Sequence, residues 1–491
     1  MIIIGIYPDQ IENINHTFIS LKKEITEFVH PRAVIHLLPF QLSCGDGGFA
    51  INDWYSVDDT FGSWADIEIL AEERKLIIDG VFNHVGITNE IVKKFCLDPE
   101  RYKAWFYLNS IDKLKSPRGQ DADKEIQTVK GIVKIRQTHM DKTIDINLEN
   151  PEVLKEINRY LVFLKKKKIW GIRLDAVAYY KKGSDIRHNE GAELLARKIV
   201  DLTRNNGFYT IAQLDCDNQG CNYFSDPLYK DVAIYDFSYS AYLCEALISG
   251  ETEILSRYLT QMSFLRRTLI RAPRTHDGIL LKSNNITEVC KAKLVDFSKE
   301  NGAKVRETQG NLYEINYSLP YLFYLLCPTD VYKLVKFTMA FTGILNSIPY
   351  FYYPYILGFI PEIEDIHNVP KRFDLNDPRT INRLPITQRF LTNHPSKMDI
   401  KNLLDILVEI RDSLEDEIIS GKADFNSIGS CIKVSVANAK IIGYFNFSSE
   451  KQQIKVKEDK SYRIAVDSRE SYELFNEYDF LIFVKKPYFE R

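Results

Sequence analysis

Four short segments of this chain end in side chains able to bind and transform a polar substrate. They are Asp79-Gly80-Val81-Phe82-Asn83-His84, Gly171-Ile172-Arg173-Leu174-Asp175-Ala176, Ile211-Ala212-Gln213-Leu214-Asp215 and Thr275-His276-Asp277-Gly278. Carboxylates, histidines and an arginine are the groups of nucleophilic, acid–base and charge-stabilising chemistry. Singly, each segment is weak. An aspartate at a strand end usually caps the next helix, and a histidine beside it is more often a satisfied structural group. Together they are stronger, because all four follow strand-like runs, and strand ends gather on one face of an α/β barrel. Helix capping does not explain four such ends in barrel order.

The elements that must position these residues are short β-branched runs alternating with longer helical patterns. Strands are expected at residues 2–6, 34–38, 76–82, 170–174, 209–214, 232–237, 268–272 and 344–352. Several are continuously apolar, as in parallel sheets buried on both faces. Helical patterns follow most of them, as over Pro151–Lys166, where Asn150 stands ready to cap and Pro151 occupies the first turn. Eight such units predict an α/β fold, a (β/α)8 barrel. The barrel is expected over residues 1–84, 147–277 and 331–429. Residues 85–146 and 278–330 are too long for simple loops and read as insertions after the third and seventh strands. Residues 430–491 change character. Runs at 432–436, 441–447, 454–456 and 480–484, separated by polar turns, predict a small antiparallel β domain.

Composition narrows the partners. Of 491 residues, 45% are hydrophobic and 27% charged, as in an ordinary globular protein. A net charge of -3, from 64 basic and 67 acidic residues, gives no reason to expect nucleic acid or an anionic membrane as partner. The basic run from Lys165 to Lys168 reads as a solvated helix end. The eight cysteines have no framework spacing, and Cys216 and Cys221 lack a second pair or a histidine to complete a zinc site. Isolated thiols suit a reducing compartment, and the apolar start Met1 to Ile6 reads as a strand and not an export signal. No apolar run reaches transmembrane length, so a cytoplasmic location is expected.

With these residues in hand, the chain resembles the α-amylase superfamily, and within it the sucrose phosphorylase group. The four strand ends look like the superfamily's four signature regions. Gly45-Asp46-Gly47-Gly48-Phe49-Ala50, Asp53, Phe61-Gly62-Ser63-Trp64, Asp145-Ile146-Asn147, Tyr235-Asp236-Phe237 and Ile381-Asn382-Arg383 are similar to the narrower group. The likeness runs from about residue 5 to about residue 385. It implies a retaining α-glucoside phosphorylase, in which a glucosyl-enzyme ester is captured by inorganic phosphate to give glucose 1-phosphate. It implies no metal or organic cofactor, small-molecule partners only, and a monomer or homodimer.

Residue roles follow from the same resemblance. Asp175 matches the nucleophile and Asp277 the carboxylate that holds sugar hydroxyls and stabilises the oxocarbenium-like transition state. Arg173, two residues before Asp175, shares its strand face and would help keep it ionised. His84 and His276 match hydroxyl-binding histidines, and Asp46 and Arg379 match residues closing the far end of the glucose pocket. Asp79 is expected to organise its loop, and the run Tyr350-Phe351-Tyr352-Tyr353 to form barrel wall.

Two departures stand out. The group's proton donor is a glutamate, and the aligned position here holds Gln213. Glutamine can hydrogen-bond the glycosidic oxygen but cannot protonate it, and general acid catalysis is typically worth about 10²–10⁴-fold. An impaired chain is therefore expected. Three readings stay open: an engineered variant, a natural one that uses Asp215 instead, or a pseudoenzyme that binds glucosides without cleaving them. Asp215 itself matches an acceptor-site position that is often histidine, and reads first as a contact to an acceptor hydroxyl. The second departure is Arg136-Gln137-Thr138-His139, where relatives carry an aromatic pair. Arg136 and His139 could hold an anionic acceptor, such as a sugar phosphate or a carboxylate. Alternatively, Arg136 points to solvent.

Overall fold

The computed structural model describes residues 1–12, 17–108, 115–116, 121–139, 141–265, 267–308, 312–362, 369–454, 456, 459–469 and 474–487. Eight parallel strands close into a barrel: β1 (Ile3–Ile6), β2 (Val34–Leu37), β3 (Leu76–Gly80), β4 (Gly171–Leu174), β5 (Tyr209–Asp215), β6 (Ala233–Tyr235), β7 (Leu269–Arg271) and β8 (Ile348–Tyr352). Each pairs with its successor in sequence, and β8 closes on β1 with Ile3 opposite Tyr350. The expected α/β barrel is the observed fold. Strands β1 to β4 and β6 to β8 are buried along their whole length, which is why their sequences run apolar without alternation. Helix Pro151–Lys166 begins as its sequence indicates, with the Asn150 side chain accepting from Glu152 N.

The barrel interior is partly polar below the site. Gly5 makes room for it, since a Cβ there would lie 1.8 Å from the Tyr350 hydroxyl. That hydroxyl meets His36 Nδ1 at 3.1 Å, and His36 Nε2 meets Asp79 Oδ2 at 3.1 Å. The aromatic run at 350–353 is thus buried wall, as expected.

Strand limits differ from the sequence expectation where a helix takes over. Strand β8 starts at Ile348 because helix Val331–Ile344 runs through Ile344. Strand β6 stops at Tyr235 because Asp236 caps helix Phe237–Ser249, accepting from Tyr239 N. The first insertion carries the antiparallel pairs Asp123–Thr128 with Gly131–Arg136 and His84–Gly86 with Thr143–Asp145. The second carries helix Glu288–Glu300 and a three-stranded sheet. Both leave the C-terminal ends of barrel strands and so flank the same mouth.

After the barrel comes a five-stranded antiparallel sheet built from β9 (Asp424–Ile428), β10 (Cys431–Val436), β11 (Ile441–Asn446), β12 (Tyr462–Asp467) and β13 (Phe480–Lys485), in the order β9-β10-β11-β13-β12. Strands β9 and β12 escape the sequence pattern because both are largely exposed or half-buried and offer little apolar alternation. The run expected at 454–456 is not a strand of this sheet; Lys455 lies outside the described residues. The sheet docks through Phe445, Phe447 and Phe480 onto Phe337 and Phe341 of helix Val331–Ile344, with Phe337 and Phe447 centroids 4.9 Å apart.

Candidate active site

At the C-terminal mouth of the barrel lies a cavity of about 270 Å³, lined among others by Asp46, His84, Asp175, Gln213, Asp215, His276, Asp277 and Arg379. Asp175 follows β4 directly. Arg173, on the same strand face, donates from Nη1 to Asp175 Oδ1 at 3.1 Å and from Nε to Tyr235 Oη at 3.2 Å. The same guanidinium is bonded to Asp79, which His36 holds from its other side. A cation shared by two carboxylates cannot fully neutralise either one. Burial pushes the Asp175 carboxyl up to about 7, Arg173 pulls against it, and Asp79 and Asp277 add to the rise. The next residue, Ala176, is left-handed at φ 48°, ψ 45°, and its N–H donates to Gln213 Oε1 at 2.7 Å. Such backbone costs a β-carbon residue of order 1–3 kcal/mol, which that bond helps to offset.

The opposite end of the cavity is a cage of ion pairs. Arg379 binds Asp46 Oδ1 at 2.6 Å, Asp277 Oδ1 at 3.1 Å and Asp377 Oδ2 at 2.6 Å, and Arg383 adds a 2.7 Å bond to Asp277 Oδ1. Burial alone would raise Asp277, but His276, Arg383 and Arg379 hold it well below the usual carboxylate range. It therefore stays charged at all ordinary pH. Two histidines complete the wall, and burial lowers His84 to about 4 and His276 to about 3, so both are neutral. His84 Nε2 lies 3.1 Å from Phe49 O and must carry the proton, which leaves Nδ1 as acceptor. The His276 ring stacks on Phe49 at 5.4 Å with its Nε2 3.4 Å from Asp277 Oδ2. Neither Nδ1 has a hydrogen-bond partner among the described residues, although both are buried. Buried acceptors of this kind call for a donor, and sugar hydroxyls supply donors. Among the described residues, no group of three or more His, Cys, Asp or Glu side chains is arranged to hold a metal ion.

The family described as "Alpha amylase, catalytic domain" matches residues 32–218, the stretch that carries β2 to β5 with Asp175 and Gln213. Over this stretch the chain is similar to the α-amylase catalytic domain. More narrowly, the likeness is to the sucrose phosphorylase group. A glucosylglycerate phosphorylase of Allomeiothermus silvanus is 27% identical over 256 residues, 50% of this chain and 46% of that protein, so the match spans less than half the relative's length. A sucrose phosphorylase of Streptococcus mutans is 25% identical over 402 residues, 76% of this chain and 79% of that protein. The crystal structure of sucrose 6F-phosphate phosphorylase from Thermoanaerobacter thermosaccharolyticum superposes with a TM-score of 0.76 at 18% identity, covering 91% of this chain and 94% of the other.

Against that background, most of the residues singled out from sequence line one cavity, and two groups need comment. Arg136 does not line it. It ends a strand of the first insertion, buried, with Nε 3.7 Å from Asp123 Oδ1 on the paired strand. It is therefore not a solvent-facing side chain, because the hairpin turns it into the insertion's own core. His139 does line the cavity, 2.9 Å from Asn83 Nδ2 and with its ring 5.0 Å from that of Tyr179. Sequence reasoning missed Tyr179, Arg187 and Lys282, which also line the mouth. Burial alone would raise the Tyr179 phenol, yet Lys282 and Arg187 hold it below its ordinary value. These residues lie beyond strand ends, on segments without periodicity; their one signal was a position shortly after the fourth and seventh strands.

Proposed function

We propose that this protein is a retaining α-glucoside phosphorylase. The observation that carries the reading is the pairing, in one cavity, of a strand-end nucleophile candidate, Asp175 on Arg173, with a sugar-sized cage of Asp46, Asp277, Arg379, His84 and His276. In this reading the cage binds the glucosyl ring, with the two Nδ1 atoms accepting from its hydroxyls. Asp175 attacks the anomeric carbon from one face, forming an ester, while Asp277 stabilises the positive charge that develops on the ring. Phosphate then displaces Asp175 and releases glucose 1-phosphate. Lys282 and Arg187 at the mouth favour an anion there, and the field that lowers Tyr179 supports it. That anion is phosphate in one direction and an acceptor bearing a carboxylate or phosphate in the other. The activities for which two of the relatives are named, on glucosylglycerate and on sucrose 6F-phosphate, agree with this class of acceptor.

The test uses α-glucosyl fluoride and glucose 1-phosphate, whose leaving groups need little help. Both are expected to leave a glucosyl label on Asp175, read by mass spectrometry of the quenched protein, and phosphate should discharge it faster than water. Discharge by water alone would make the protein a hydrolase. A silent Asp175 that still binds glucosides would make it a carbohydrate-binding protein and end the phosphorylase reading.

A further inference from the structure

The phosphorylase reading leaves one step without an agent: a poor leaving group must be protonated as it departs, and Gln213 has no proton to give. We propose that Asp215 is the catalytic acid of this chain, and that Gln213 is a positioning residue for the turn that carries Asp175. The inference rests on the phosphorylase reading and adds to it a residue that the resemblance assigns to acceptor contact.

Strand register supplies the geometry. On one side of β5, Ile211 pairs with Arg173 and Ala212 with Leu174. Arg173 points inward, to Asp79 and Asp175, so Ile211 and Gln213 share the inward face. On the other side, Ala212 pairs with Ile234 but Asp215 pairs with Tyr235. Strand β5 thus advances three residues while β6 advances one, a bulge centred on Gln213 and Leu214. Bulges near active sites re-aim side chains, and this one brings Asp215 level with Tyr235, whose hydroxyl points inward to Arg173. Gln213 and Asp215 consequently line the same cavity as Asp175. Their tasks differ. Gln213 commits its side-chain oxygen to Ala176 N, the left-handed residue beside the nucleophile. Among the described residues, Asp215 accepts a long bond, 3.3 Å, from Phe237 N at its Oδ1, together with a contact to the Ser283 hydroxyl.

The surroundings suit a proton donor. Asp217 from the loop after β5 and Asp236 from the end of β6 face Asp215, with Lys282 and Ser283 opposite them on the segment after β7 and the Cys216 thiol next in sequence. Burial, then Asp217 and Asp236, push the Asp215 carboxyl up to about 7, against Ser283 and Lys282. Asp236 is itself paired with Arg271 at 2.8 Å, and Asp217 accepts from Gly220 N. Asp215 is therefore an acid able to exchange its proton at neutral pH, where a general acid is most useful.

The step balances as follows. The Asp215 carboxyl gives its proton to the glycosidic oxygen as the bond from the anomeric carbon to that oxygen breaks with its electron pair. The leaving group departs as an alcohol, Asp175 forms the ester, and Asp215 is left as carboxylate. In the second half, an oxygen of hydrogen phosphate bonds the anomeric carbon, the ester bond returns its electrons to Asp175, and the phosphate proton passes to Asp215.

The test compares native protein with Asp215→Asn on two donors in inorganic phosphate, 4-methoxyphenyl α-glucoside and α-glucosyl fluoride, with folding of each variant checked by thermal melting. The substitution should lower turnover of the methoxyphenyl glucoside about 10²–10⁴-fold but that of the fluoride less than about tenfold. It should also abolish the alkaline limb near pH 7 seen with the methoxyphenyl donor. Asp215→Glu, which keeps a carboxyl, should retain that limb at a shifted pH and covers the case in which the asparagine variant misfolds. Equal loss on both donors overturns the proposal, as does an unaltered limb in Asp215→Glu. A native protein that glucosylates Asp175 from the fluoride but ignores the methoxyphenyl glucoside overturns the Asp215 assignment alone. Failure of the fluoride to label Asp175 removes the phosphorylase reading beneath it.

Discussion

The two ends of the cavity handle charge in opposite ways. Around the proposed glucose cage, carboxylates face guanidinium groups directly: Arg379 joins Asp46, Asp277 and Asp377, and Arg383 reinforces Asp277. At the mouth, Lys282 hydrogen-bonds Tyr179, and the other ionisable groups act on one another over longer distances. Lys282 and Arg187 hold Tyr179 down, while Asp217 and Asp236 push Asp215 up. Tight pairing fixes a single protonation state, which suits recognition of an unchanging sugar ring. Looser opposition leaves Asp215 raised to about 7, which suits moving protons. Asp175 sits at the boundary, paired with Arg173 yet raised to about 7.

The largest effect that would sharpen this contrast is expected on the tight side. Asp277→Asn should cut kcat/KM with α-glucosyl fluoride about 10²–10³-fold, the size seen when one transition-state charge contact is lost. Its pH profile should keep its shape, because Asp277 is charged throughout; a moved limb in steady-state assays would break the comparison. On the loose side, Lys282→Ala or Arg187→Ala should lower kcat/KM for phosphate about 10–100-fold, the worth of one hydrogen bond to a charged partner. Ultraviolet titration should then find the Tyr179 phenol shifted upward.

The smallest effect is one of stability. Because the folded pKa of Asp175 is raised, its favourable contribution is complete below the unfolded value near 4 and is lost as pH rises through about 7. Above that, the native protein carries a buried charge that asparagine would not. Asp175→Asn should therefore melt a few degrees higher than native protein at pH 8 and at the same temperature at pH 4, by differential scanning calorimetry. A lower melting point at pH 8 would mean that Arg173 pairs Asp175 as tightly as Arg379 pairs Asp46.

What could be read from sequence divides along the same line. Asp175, Asp277, His84 and His276 were legible because each ends or follows a strand-like run, and the barrel collects such ends by geometry alone. The glucose cage lies near those ends, so a one-dimensional pattern reached it. The burial of Arg136 was hidden because its partner Asp123 lies across a hairpin whose half-exposed strands carry little pattern. Lys282 and Arg187 were missed because loops carry no period. The bulge in β5 was equally invisible, since it exists only as a mismatch between the registers of two neighbours. That bulge separates Gln213 from Asp215 in role, though the sequence places them on one face.

If the glucosyl ring sits in the cage as proposed, the bridge from Arg379 to Asp46 would also limit which molecules can present themselves. A cleft open at both ends would let a long chain thread through and be cut anywhere along it. With such a stopper across one end, only the last sugar of a chain would enter, so reactivity would count termini and not linkages. Gram for gram, disaccharide-sized glucosides offer far more termini than a storage polymer. On this architecture the protein would draw on small soluble glucosides and leave the interior of any polysaccharide untouched.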